Sequence, residues 1–175
     1  MSRILLVDDE PHVLKAVGRL LNDHDVVGCT GAEEALQRAR NESFDLVLSD
    51  YRMPEMDGVE FLRRFMRLQP DAARLMLTAH ADLEGVQAAI NDAAVFRFIN
   101  KPWSDFELRN AVDTALAHQA VLLENQRLAD LVREQQAQLE QQGAVLRALE
   151  EQEPGITRVE RDADGSISVD EGDTT

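Results

Sequence analysis

Four short apolar runs in this chain each lead into a polar side chain suited to phosphate chemistry. ILLV runs into Asp8 and Asp9, DLVLS into Asp50, RLML into Thr78 and FRFIN into Lys101. Paired carboxylates at Asp8 and Asp9, with a third at Asp50, would repel one another unless a cation sat among them. Such hard oxygen donors suit Mg2+, which takes one or two carboxylates and completes its shell with water and phosphate oxygens. An aspartate is also a competent nucleophile toward phosphorus, giving an acyl phosphate once a metal and nearby cations neutralise the incoming phosphoryl oxygens. Thr78 can donate a hydroxyl hydrogen bond to that group, and Lys101 brings a compact positive charge on a long stem. The chain uses 16 Arg and only two Lys, so a lysine directly before Pro102 reads as present for its point charge.

These residues meet only if the runs that carry them are parallel strands of one sheet, because open α/β sheets gather ligand-binding groups at the carboxyl edge. Strands are expected at Arg3–Val7, Asp25–Cys29, Leu46–Ser49, Leu75–Leu77 and Val95–Ile99, each followed by helical periodicity. Five βα repeats imply an α/β fold with a parallel sheet, doubly wound so that helices cover both faces. Pro11 suits the first turn of the first helix, and Thr30, Gly31, Ala32 and Glu33 read as a cap opening the second. Pro54, Asp57 and Gly58 call for a loop after the third strand.

With 175 residues there is room for one full domain plus an appendage, since domains commonly hold about 100 to 150 residues. A hydrophobic content of 44% is ordinary for a globular chain. No apolar run approaches the roughly 20 residues of a membrane helix, and the start lacks a signal-peptide pattern, so a soluble cytoplasmic protein is expected. The lone Cys29 has no internal disulfide partner and reads as inert packing. Net charge is −15: residues 1–118 hold 20 acids and 13 bases, and residues 119–175 hold 13 acids and five bases. Nothing here offers the basic face through which nucleic-acid binders neutralise phosphates.

From Ser104 the pattern changes, with Gly143 the only breaker before Pro154. So long a helical stretch should leave the sheet behind. Spacing of four then three runs through Val121, Asn125, Leu128, Val132, Gln135, Leu139, Gln142, Leu146 and Leu149, a coiled-coil seam with six apolar members of nine. Asn125 would occupy an a position, where a buried Asn sets register and favours a parallel dimer. The alternative is a helix folded back on the domain or on another partner, and Leu122, Leu131 and Val145 widen the face enough for a higher oligomer. Pro154 and Gly155 stop the helix, and an acidic tail follows. In it ITRVER and SISV flank Asp162–Gly165 as a small hairpin. A competing count makes Glu160 position 1 of a calcium loop ending on Glu171, but Pro154 and Gly155 forbid its entering helix and only four residues remain after it.

The segments RILLVDDEP, FDLVLSDYRMPEMDG, RLMLTA and FRFINKPW, in this order and spacing, resemble the receiver family of two-component response regulators over residues 1 to about 118. The resemblance implies a five-stranded flavodoxin-like sheet of order 2-1-3-4-5 in a receiver at 1–118, and the seam and breakers add a coiled-coil extension continuous with helix five at 119–152 and a tail at 153–175. It implies Asp50 as phosphoacceptor. Mg2+ would be bound by Asp8, Asp9, Asp50 and the backbone carbonyl of Arg52, with Asp9 favoured over Asp8 as the direct ligand. Thr78 and Lys101 would contact the phosphoryl oxygens, Phe98 would be the aromatic switch, and Lys101-Pro102 would be cis. Arg52 and His80 would tune hydrolysis of the acyl phosphate, or else be solvated loop residues. His12, His24 and His118 read as packing or capping residues, and Trp103 and Tyr51 as rim aromatics.

The expected function is a phosphorylation-dependent regulator, not itself an enzyme beyond hydrolysing its own acyl phosphate. It would accept a phosphoryl group from a histidine kinase and signal, without a DNA-binding output, through a parallel homodimer or a downstream protein. Alternatives are a phosphorelay intermediate and a constitutive dimeric scaffold. An aspartyl-nucleophile phosphatase of the haloacid dehalogenase type fits poorly, because its second acid lies two residues beyond the first-strand nucleophile, whereas Asp8 and Asp9 are adjacent.

Overall fold

The computed structural model describes residues 1–79 and 93–152. The fourth expected helix, His80, and the tail with its hairpin and calcium-loop readings lie outside the described residues. The chain divides into two units, Met1–Asn125 and Gln126–Thr175.

The described elements are β1 (Arg3–Val7), α1 (Pro11–Leu20), β2 (Asp25–Cys29), α2 (Ala32–Asn41), β3 (Leu46–Asp50), α3 (Gly58–Leu68), β4 (Ala73–Ala79), β5 (Arg97–Lys101) and a C-terminal helix (Asp105–Gln152). The strands form one sheet of order β2-β1-β3-β4-β5, and every neighbouring pair is parallel. Successive strand side chains point to opposite faces, which splits the aliphatic strand residues between two cores. Ile4, Leu6, Leu46, Leu48, Leu75, Leu77 and Ile99 pack with Val13 and Val17 of α1 and with Leu108, Ala111, Val112 and Ala115 of the C-terminal helix. Leu5, Val7, Val47 and Met76 pack with Ala35, Leu36 and Ala39 of α2 and with Phe61, Leu62 and Phe65 of α3. Each fully buried Leu, Ile, Phe or Met contributes about 1.5–3 kcal/mol, so these two layers hold the sheet edge rigid.

Local chemistry sets the boundaries. Pro11 stands at the start of α1, and Asp57 caps α3 by accepting from the Glu60 N–H at 2.8 Å. Gly31 is the N-cap of α2 without a side-chain cap bond, so Thr30 opens that helix by sequence position only. The Ser104 hydroxyl accepts from the Glu107 N–H at 3.1 Å at the head of the C-terminal helix. Three strands differ from their expected limits, β3 by one residue because Asp50 pairs with Leu77. β4 runs from Ala73 to Ala79 and β5 from Arg97 to Lys101, because ladder pairing of Leu75 with Arg97 through Ala79 with Lys101 carries the strands into polar residues. Before β5, Ala94 turns the chain at φ 46°. Arg74 holds that turn, its guanidinium donating to the carbonyls of Ala93 at 3.1 Å and Ala94 at 3.2 Å.

Candidate functional site

The carboxyl edge of the sheet brings the expected acids and the lysine together. Asp8 directly follows β1, Asp50 ends β3 and Lys101 ends β5. Asp8 is fully buried, and Asp50 retains 6% exposure. The Lys101 ammonium donates to Asp8 Oδ2 at 2.9 Å and pairs with Asp50 Oδ1 at 2.8 Å, with Glu10 Oε1 further off at 3.9 Å. One carboxylate oxygen from each of Asp8, Asp9 and Asp50 lies within 4.8 Å of the other two.

The acid pair and its cation perturb one another. Burial pushes the Asp50 carboxyl above its ordinary value; Lys101 opposes that rise, while the like charge of Asp8 adds to it. For Lys101 burial works downward, yet its bonds to Asp50 and Asp8 outweigh it and hold the ammonium above the usual lysine range. Burial dominates the rise at Asp50, and two acids facing one ammonium leave the cluster with more negative than positive charge. That is a site short of positive charge. All-oxygen donors with a charge deficit are what Mg2+ requires, so the residues fit that metal, with Asp8, Asp9 and Asp50 as its carboxylate holders.

Thr78 is fully buried, and its hydroxyl makes a long 3.3 Å bond to the Ala79 carbonyl. It stands in register with Asn100. Phe98, in register with Met76, is partly buried against the core that α2 and α3 build. Arg52 lies exposed in the loop two residues beyond Asp50. The Lys101-Pro102 peptide is cis. A groove of about 490 Å3 beside the acids is lined by Glu10, His12, Val13, Ala16, Pro102 and Trp103, with Lys101 at its edge, which makes Trp103 a rim aromatic. His118 packs on the Phe96 ring, with centroids 5.0 Å apart. His12 stands 3.2 Å from Glu10. Burial pushes the Cys29 thiol up to about 11, in keeping with inert packing.

Two contributors escape a reading by residue type. A side chain at Gly58 would place Cβ 2.1 Å from the Asp50 carbonyl oxygen, so only glycine lets α3 start against the backbone at the end of β3. The turn signal Asp57-Gly58 marked a loop but not this close approach. Glu10 donates its N–H to Asp8 Oδ1 at 2.9 Å, orienting a buried carboxylate through the main chain, where residue type carries no signal.

Strand order and the cation-bridged acid cluster define a class: a doubly wound domain with its chemistry at the carboxyl edge of a parallel sheet. The chain belongs to the response regulator receiver domain family, whose model matches residues 4–113. It is 38% identical over 121 residues to the transcriptional regulatory protein GlrR of Escherichia coli, covering 68% of this chain and 27% of that one. It is 35% identical over 114 residues to the hydrogenase transcriptional regulatory protein HoxA of Bradyrhizobium diazoefficiens, covering 65% and 24%. The chain thus spans about a quarter of the length of these curated relatives. Among solved structures, it superimposes on the signal receiver domain of an HD domain-containing protein from Pseudomonas fluorescens with TM-score 0.65 and 35% identity, covering 69% of this chain and 98% of that one. It also superimposes on the adenylate cyclase structure from Rhodopirellula baltica with TM-score 0.70 and 32% identity, covering 74% of this chain and 97% of that one. The protein is therefore a receiver domain of the two-component response regulators, carrying a long C-terminal helix.

Proposed function

We propose that Asp50 is the residue of this receiver that takes the phosphoryl group from a partner histidine kinase. An Asp50 carboxylate oxygen attacks phosphorus, the P–N bond to the kinase imidazole breaks, and the ring leaves with the bonding pair and takes up a proton. Mg2+, when held by Asp8, Asp9, Asp50 and the Arg52 carbonyl, supplies charge neutralisation for the incoming oxygens. Lys101 supplies a second positive charge, and Thr78 turns its hydroxyl from the Ala79 carbonyl to a phosphoryl oxygen. The observation that carries this reading is the Lys101 ammonium held at 2.9 Å and 2.8 Å between Asp8 and Asp50.

Vacating the Thr78 position gives Phe98 room to turn inward, and the face formed by β5 and the C-terminal helix changes shape. In this reading residues 1–118 are the receiver, residues 119–152 a helical extension that forms a parallel homodimer and residues 153–175 an acidic tail. Output passes through protein contacts in the cytoplasm, since a net charge of −15 disfavours nucleic acid. Among the described residues no helix is long and apolar enough to cross a membrane.

Mass measurement after incubation with acetyl phosphate and Mg2+ tests the chemistry. Wild type gains one phosphoryl group and Asp50→Asn gains none. No gain on wild type would refute the phosphoacceptor assignment and leave a dimeric scaffold in its place.

A further inference from the structure

The C-terminal helix is continuous from Asp105 to Gln152, but its buried positions end at Gln119. Beyond that point Leu128 is 45% exposed, Val132 62%, Leu139 65%, Leu146 54% and Leu149 43%. These five share one stripe of four-three spacing with three amides, Asn125, Gln135 and Gln142. A helix that leaves such a stripe open requires a partner face that matches it in both apolar and polar positions.

We propose that Asn125, Gln135 and Gln142 form an amide ladder that pairs this helix with a second copy of the chain, parallel and in register, and disfavours other alignments. This rests on the reading that residues 119–152 dimerise, and it adds which partner is accepted and how it is aligned.

Self-matching of the layers carries the assignment. In a parallel, in-register pair every seam residue meets its own counterpart, so Asn125 meets Asn125, Gln135 meets Gln135 and Gln142 meets Gln142. A carboxamide holds both donors and acceptors, so two facing copies bond each other. Leu128, Val132, Leu139, Leu146 and Leu149 then make purely aliphatic layers. In the antiparallel arrangement a positions face d positions: Asn125 falls opposite Leu149, Val132 opposite Gln142 and Gln135 opposite Leu139. At this full overlap every amide is buried against an aliphatic chain and loses its hydrogen bonds, and the heptad-shifted antiparallel register that pairs Asn125 with Gln142 still sets Gln135 against Val132. Sliding one copy by a heptad in the parallel sense keeps one amide pair, Gln135 against Gln142, but sets Asn125 against Val132, Leu128 against Gln135 and Gln142 against Leu149. An uninterrupted apolar helix from another protein would strand all three amides.

Charge does not make this choice. The positions flanking the seam are Leu122, Glu124, Ala129, Leu131, Gln136, Gln138, Gly143, Val145, Glu150 and Gln152, of which only Glu124 and Glu150 are charged. Flanking ion pairs set partner and orientation in many coiled coils. With that device missing, alignment falls to the amides.

Cysteine trapping on the full unphosphorylated chain, in a Cys29→Ala background, tests the ladder. Leu128→Cys should sediment as a dimer and oxidise to a disulfide between identical positions. An equal mixture of Leu128→Cys and Leu146→Cys should give no mixed disulfide. Replacing all three amides by Leu in the Leu128→Cys chain should leave it associated, cut the like-with-like disulfide several-fold and let the mixed one form. A monomer mass would refute dimerisation itself. A dimer with mixed 128–146 disulfides, a mass above two copies, or an amide-free variant that keeps the in-register disulfide at full yield would each refute the ladder alone.

Discussion

Asp8, Asp50 and Lys101 form a site whose stability and function pull in opposite directions. The fully buried Asp8 and nearly buried Asp50 rely on one ammonium, so Lys101→Met should destabilise the fold by about 3 kcal/mol, the lower range for leaving buried charge unpaired. Mg2+ should restore part of that loss, measured as a rise in Tm with added metal. Asp50→Asn should do the reverse. Burial raises the Asp50 carboxyl above its ordinary 3.8. An acid raised on folding contributes stability below its unfolded value and loses it as pH climbs through its folded value. The Asn variant should therefore gain on wild type as pH rises from about 4 toward neutrality. Thermal melts across that range would refute this if the two curves stayed parallel. Gly58→Ala should cost about 3 kcal/mol or more, because its Cβ meets the Asp50 carbonyl oxygen at 2.1 Å. A denaturant midpoint near wild type would show that α3 can shift aside.

The C-terminal helix changes character along its length. Leu108, Ala111, Val112 and Ala115 tie its first turns to the sheet, and Gln119 closes that stretch by donating to the Asp71 carbonyl at 2.8 Å. Arg109 adds a link to the loop after α1, donating to Asp23 at 2.9 Å and 3.0 Å and to the Leu20 carbonyl. Removing the cap with Ser104→Ala should cost about 1 kcal/mol. Gln119→Ala should cost a similar ~1 kcal/mol by leaving the Asp71 carbonyl unpaired, and both are read in urea melts. The helix itself was legible because four-three spacing persists with Gly143 as the one breaker before Pro154, whereas the limits of β4 and β5 were not. Asn100 and Lys101 look like loop residues, and only pairing of Thr78 with Asn100 and Ala79 with Lys101 makes them strand.

At the level of the whole chain, a charge of −15 means that two copies repel before their seams meet. Raising ionic strength from about 0.05 M to about 0.5 M shortens the Debye length several-fold and should strengthen self-association, read as a falling dimer dissociation constant in sedimentation equilibrium. If the receiver drives its helix, a phosphoryl mimic at Asp50 should shift the same constant. Equal dimerisation of the free and mimic-bound forms would uncouple site from helix.

Residue type and strand-end position were enough to gather Asp8, Asp9, Asp50 and Lys101 at one edge and to arrange the runs as a parallel doubly wound sheet. Those features depend on local periodicity and on chemistry that few side chains perform. Tertiary structure alone decided that one ammonium bridges Asp8 and Asp50, that Glu10 steadies Asp8 through its main chain, and that Gly58 must lack a side chain. Each depends on distances between residues far apart in sequence or on backbone groups common to every residue, and neither is written in residue type.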